Sequence, residues 1–311
     1  MKMKTQKKIL APVDGSDRAL NTVRHIARMD SFRNRQIVLF HVFNSVPEAY
    51  WDLEKDPRST STVKQVRAWE AGQRKNIDVY MQRAQQFLLK AGFSESAIQI
   101  KIQKRKKGIA RDIIREAKNG YEAVVARRRG ATGLRGIVLG SVATKLIEKL
   151  NFLPLILVGK APAGNKILLA FDGSSDALSA VDFVGFLTDG LDYEVGLLHV
   201  IRGNGKDLAE YQHIFPSKKY TQFAHKLMTP SLVKAERKLL DLGLKPKNIS
   251  IKLIRGVHSR AKAIADEAKK ENYGIIVMGR RGLSRVQNFV IGRVTNKVIH
   301  MARDRTIWIV R

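Results

Sequence analysis

Apolar and polar positions along the chain follow two alternating periods. Short, nearly continuous apolar runs at Lys8–Val13, Gln36–Phe43, Ala97–Lys104, Ala123–Ala126 and Leu153–Val158 predict five strands. A second set follows at Lys166–Phe171, Glu194–Ile201, Ile249–Ile254, Gly274–Met278 and Thr306–Val310. Between the runs of the first set, apolar residues recur at helical spacing over Ser16–Met29, Thr62–Lys90, Ile109–Ala117 and Ser141–Leu150, and counterparts appear later. Strands that are apolar throughout are buried on both faces. Alternation with helices therefore predicts an α/β fold with a parallel sheet covered on each side. Right-handed crossovers make the sheet doubly wound.

The two sets of elements repeat each other. "KILAPVDGSDRALNTV" (Lys8–Val23) aligns with "KILLAFDGSSDALSAV" (Lys166–Val181), and His41 and Val42 align with His199 and Val200. "RRRGATGLRGIVLGSVATKLI" (Arg127–Ile147) returns as "GRRGLSRVQNFVIGRVTNKVI" (Gly279–Ile299), with eight of 21 positions identical, including Gly130/Gly282 and Gly140/Gly292. A period this long means two tandem domains and not a solenoid. We divide them at 1–160 and 161–311, with "VGKAPAGNK" (Val158–Lys166) as linker.

Composition narrows the function classes. The 311 residues contain no cysteine, which removes disulfides, thiolate metal sites and cysteine nucleophiles and agrees with a cytoplasmic address. No apolar run reaches bilayer length, and "MKMKTQKKIL" has no signal-peptide core behind it. The net charge of +29, spread over both halves, favours an anionic partner: nucleotide, nucleic acid, anionic lipid or an acidic protein. A host with generally basic proteins explains the same number. Lys104, Arg105, Arg127, Arg128, Arg280 and Arg281 follow the ends of strands and are expected on a basic rim. No zinc-finger, RNA-recognition or clear helix-turn-helix pattern accompanies them.

In an open parallel sheet, ligands bind beyond the carboxyl ends of the strands. Asp14 and Asp172 end the first strand of each half, and the glycine segments follow the fourth. If first and fourth strands are neighbours, the acid faces the glycine loop across one crevice. The carboxylate then suits ribose hydroxyls or adenine, and the glycines let N–H groups approach phosphate. Gly140 and Gly292 open a helix whose N-terminus favours negative charge. The alternative reading is that "DGS" is turn-and-cap chemistry with no ligand.

These residues resemble the universal stress proteins, whose marks are an Asp before a Gly-Ser turn and a later Gly-x2-Gly-x9-Gly-Ser/Thr signature. The resemblance covers nearly the whole chain as two copies. It implies Rossmann- or flavodoxin-like sheets of order 3-2-1-4-5 that pair through their last strands as a pseudo-dimer, and an ATP site in some members of the family. Carried over by position, the second copy would use Asp172 and Val200 for adenosine, with Gly279, Gly282, Gly292, Arg293 and Val294 around phosphate. The first would use Asp14, Val42, Gly130, Gly140, Ser141 and Val142. Each copy departs once from the pattern. Arg127 stands where the leading glycine is expected, and Arg293 replaces the hydroxyl residue, where its guanidinium suits a terminal phosphate. The second copy is therefore expected to be the better site for ATP or another adenine nucleotide, with or without Mg.

No catalytic constellation accompanies these motifs. His41 and His199 recur on equivalent strands and are read as packed, hydrogen-bonded core residues, and there is no nucleophile elbow or P-loop lysine. The sequence points to a protein that binds, with at most slow ATP hydrolysis. The competing readings are a scaffold without nucleotide, a binder of another small ligand such as a lipid, and charge-driven polyanion association.

Overall fold

The computed structural model describes residues 7–44, 60–128, 139–160, 164–203, 217–283 and 290–311, except for the side chains of 217–225 and 227. The first half runs β1 (Lys8–Pro12), α1 (Leu20–Ala27), β2 (Gln36–Phe43), α2 (Thr60–Lys90), β3 (Ile98–Lys104), α3 (Ile109–Ala117), β4 (Ala123–Arg127), α4 (Ser141–Lys149) and β5 (Leu155–Val158). The second repeats the series as β6 (Lys166–Ala170), α5 (Ser175–Thr188), β7 (Glu194–Arg202), α6 (Ser217–Asp241), β8 (Ile249–Val257), α7 (Arg260–Lys270), β9 (Ile275–Gly279), α8 (Arg293–Met301) and β10 (Thr306–Val310).

All ten strands form one sheet in the order β3-β2-β1-β4-β5-β10-β9-β6-β7-β8. Each half has the order 3-2-1-4-5, and its pairings are parallel. The two halves meet antiparallel along β5 and β10, with Leu157 opposite Ile307 and Ile156 opposite Trp308. That seam is the pseudo-dimer pairing.

Period-two alternation assigns neighbouring residues to opposite faces. Ile9, Ala11 and Ile156 enter one core with Phe171 and Trp308, whereas Leu10, Leu155 and Leu157 enter the other with Ile307 and Ile309. Both cores cross the seam, so apolar burial ties the halves together on each face of the sheet. Trp308, fully buried, meets Phe183 edge-to-face at 5.6 Å between ring centres, a contact worth about 0.5–1.5 kcal/mol beyond area.

One expected element is shorter than its pattern. The helix read from Ser16 begins only at Leu20, three residues later than its equivalent α5. The cause lies across the sheet. A Cβ at Gly279 would come within 2.8 Å of the Ala177 nitrogen and 2.9 Å of the Asp176 carbonyl carbon, so α5 starts hard against the end of β9. At the end of β4 stands Arg127 instead, and a Cβ at this position leaves no room for a helix start placed as that of α5 is.

Candidate functional site

Strand order puts β1 beside β4 and β6 beside β9, so each half opens a crevice at its carboxyl edge where the chain reverses direction across the sheet. A cavity of about 660 Å³ occupies the first crevice and one of about 370 Å³ the second. Both volumes fall within the roughly 300–1,000 Å³ typical of small-ligand sites.

The second crevice is lined by Asp172, Val200, Gly279, Gly282, Gly292, Arg293 and Val294. The carboxylate of Asp172 is held by two backbone donors: Ser174 N–H at 3.0 Å, which closes the turn, and Leu283 N–H at 3.3 Å, across the crevice. Gly173 adopts φ +81°, a conformation other residues rarely take, so the turn specifies glycine. Ser174, not the aspartate, caps α5, accepting from Ala177 N–H at 3.2 Å. Gly282 packs against Asp172 so tightly that a Cβ there would strike the carboxylate.

The start of α8 differs from that of α5. Gly292 is its N-cap and offers no side-chain acceptor, so the first-turn N–H groups are left without a cap. Gly292 N–H itself turns back to Arg280 O at 2.8 Å. Three arginines border the same cavity: Arg293, Arg281 and Arg260. Arg281 N–H is fixed by the Asp176 carboxylate at 2.9 Å, and Arg260 Nε reaches Val200 O at 3.3 Å.

The first crevice holds Asp14, Val42, Gly140, Ser141 and Val142, with Arg127 beside them. Gly130 lies outside the described residues. Asp14 accepts from Ser16 N–H at 3.0 Å and from Ser16 Oγ–H at 2.6 Å, which closes the turn. Gly140 caps α4 without a side-chain acceptor, and its N–H bonds Arg128 O at 2.7 Å. The wall includes Trp69 and Ile77 of α2 and Ile109 and Ile113 of α3.

His41 and His199 behave alike. Each Nδ1 donates to the carbonyl at the end of the first strand of its half, Val13 O at 2.8 Å and Phe171 O at 2.7 Å. Burial pulls both imidazoles below their usual pKa, against those bonds and the nearby aspartates, so they stay neutral at pH 7.

The expected basic rim needs correction. Lys104 and Arg105 are exposed, and Arg127 and Arg281 border their cavities, but Arg128 and Arg280 are buried. The reason is the seam. β4 and β9 lie next to β5 and β10, so the residue after each strand turns inward and crosses to the other half. Arg128 donates to Ile299 O, to Ala302 O at 3.1 Å and to Arg305 O at 2.6 Å. Arg280 donates to Ile147 O, to Leu150 O at 3.0 Å and to Val290 O at 3.0 Å. Burial lowers both pKa values to about 10, so both remain charged at neutral pH.

Arg260 is absent from the sequence-derived set. It is the first residue of α7, and its equivalent in α3 is Ile109, so a search for features present in both halves passes over it.

The fold and its two crevices define a tandem α/β protein with ligand clefts at the carboxyl edge. The model of the universal stress protein family matches residues 5–158 and again 164–310. The chain belongs to that family and carries two copies. It is similar over 99% of both chains to a universal stress protein from Archaeoglobus fulgidus, at 17% identity and a TM-score of 0.61. A functionally unknown protein from Pseudomonas aeruginosa is 14% identical with a TM-score of 0.55, covering 98% of this chain and 92% of its own. A universal stress protein solved in complex with cAMP aligns with 48% of this chain and 98% of its own, at 18% identity. Its TM-score of 0.37 gives it no weight for the ligand here. A comparison with curated proteins gave no match. Among the described residues no helix is long and apolar enough to cross a membrane.

Proposed function

We propose that this universal stress protein works in the cytoplasm by binding an adenine nucleotide in its second crevice, and that occupancy there sets a surface read by other proteins. The observation that carries the reading is the meeting of opposite chemistries on one cavity. Asp172 is the acceptor for ribose or adenine donors. The same cavity is bordered by the uncapped start of α8 and by Arg260, Arg281 and Arg293. A helix N-terminus and several arginines together select a group carrying more than one negative charge.

Val200 contributes its main chain at the end of β7, and Gly279, Gly282, Gly292 and Val294 keep the loop low enough for phosphate to meet backbone. Among the described residues no group of three or more His, Asp or Glu side chains comes together, so any Mg²⁺ would arrive on the phosphates. The imidazole of His199 already donates its proton to a backbone carbonyl, which suits binding more than turnover.

The test is the nucleotide content of purified protein, extracted and identified by mass spectrometry, alongside Gly282→Val and Asp172→Ala. Adenine nucleotide in the wild type and its loss from both variants, with melting curves still cooperative, supports the reading. Wild-type protein that carries no nucleotide and takes up no added ATP at moderate salt overturns it and leaves a scaffold role in front.

A further inference from the structure

The two crevices have diverged at equivalent positions, and at two helix starts the first crevice has lost a cation that the second keeps. The first residue of α7 is Arg260, whereas that of α3 is Ile109. Arg293 opens α8, whereas Ser141 opens α4. The first cavity thus lacks two of the cations that border the second, and it is nearly twice as large.

Apolar surface fills the space they leave. Trp69, Gln73, Asn76 and Ile77 sit at helical spacing on the stretch of α2 that borders the first cavity. Trp69 is 53% exposed there, an indole held against a cavity and left uncovered by the described residues. Phe43, Ile109 and Ile113 face the same space.

One end of the first cavity is still made for a negative charge. The glycine-capped start of α4 and Arg127 border it. At the neighbouring edge the run Lys104–Lys107 is exposed, with Arg105 N–H bonded to Phe43 O at 2.8 Å and the buried Asp112 gripping Lys106 N–H at 2.8 Å. Those cations guide an anion toward the mouth.

We infer that the first crevice binds an amphipathic monoanion: a long apolar body seated along Phe43, Trp69, Ile77, Ile109 and Ile113, with one carboxylate or phosphate at the start of α4 beside Arg127. Long-chain fatty acids and lipid phosphate monoesters share that chemistry. The two crevices then take different ligands, and the first does not depend on what the second holds.

The test is calorimetry on delipidated full-length protein with a sixteen-carbon fatty acid, its phosphate monoester counterpart, butyrate and ATP. One long-chain ligand per chain is expected, with butyrate at least about tenfold weaker because it cannot cover the apolar wall. Saturating ATP should leave the long-chain isotherm unchanged. The tighter of the two long-chain ligands identifies the headgroup. Trp69→Ala, at an exposed position that folding tolerates, should weaken long-chain binding about tenfold. Arg293→Ala should leave it unaltered. Displacement of the long-chain ligand by ATP, equal affinity for butyrate, or no response to Trp69→Ala would each overturn the assignment.

Discussion

Arg128 and Arg280, one from each half, exchange places across the seam: each guanidinium lies against the C-terminal carbonyls of the other half's last helix. Each also directly follows the strand whose end borders a crevice. The start of α4 faces the first cavity, and its other end is held by Arg280, between two glycine-loop residues of the second. Cations at helix C-termini are favourable, and the partners here are buried carbonyls with few alternatives.

Removing Arg280 takes the guanidinium donor from Ile147 O, Leu150 O and Val290 O at once. Arg280→Ala should cost about 2–4 kcal/mol, the sum expected for losing charged hydrogen bonds and orphaning buried acceptors. In a thermal melt this is a fall of roughly 5–15 °C. Arg280→Lys should recover only part of the loss, because an ammonium cannot span Ile147, Leu150 and Val290 together. A melt unchanged by Arg280→Ala would show that the seam is held by the β5–β10 pairing and apolar burial alone.

Gly279 makes a second, local prediction. Its Cβ-free backbone admits the start of α5, where Ser174 caps and Asp176 holds Arg281. Gly279→Ala should push that turn outward, costing about 1–3 kcal/mol as overpacking does. Amide exchange at Ala177 and Leu178 should quicken in the variant, while α1 in the other half keeps its wild-type rate. Unaltered exchange at α5 would mean the later start of α1 has a cause other than Arg127.

Much of this architecture is legible in the sequence, because apolar runs buried on both faces have one structural meaning and the duplication supplies a second reading of each. Gln36–Phe43 and Thr306–Val310 begin and end where the pattern does. The side-chain roles are less legible. Adjacent arginines look alike in a string, yet Arg280 turns into the seam while Arg281 stays at the cavity; the strand order that separates them is long-range information. Searching for features common to both copies hides those in one copy alone, such as Arg260. Trp69 does not stand out by period for another reason: it sits within a 31-residue helix whose apolar positions form no clear stripe.

Acid sensitivity should centre on His25. This side chain is buried in α1, and burial, reinforced by Arg28, lowers its pKa from 6.5 to about 4. Between those values the unfolded chain binds the proton and the folded chain does not, so stability falls as pH drops through that window. One such group costs about 2 kcal/mol between pH 7 and pH 5. Urea midpoints at the two pH values should therefore differ less in His25→Leu than in the wild type. His41 and His199 shift the same way and account for slope that remains in the variant. Identical slopes in both proteins would remove His25 from the account.

Asp112 shapes the basic run at the first crevice. Its carboxylate, fully buried by area, accepts from the backbone N–H groups of Lys106, Lys107 and Gly108 and lies 3.4 Å from Arg115. Burial by itself would raise its pKa, but the three backbone donors and Arg115 together outweigh that and hold it below the usual carboxylate range. A folded pKa below the unfolded one contributes stability above about pH 3.9, and the contribution is lost as pH falls through the folded value. Asp112→Ala should thus cost about 1–2 kcal/mol at pH 7, as loss of a capping acceptor does. The gap from wild type should close under strong acid. Exchange at Lys106–Gly108 should quicken in the variant, because three amides lose the Asp112 acceptor at once, whereas α7, capped by Ser259, should keep its rate. If the gap persists unchanged below the folded pKa, the carboxylate acts through its shape and not its charge.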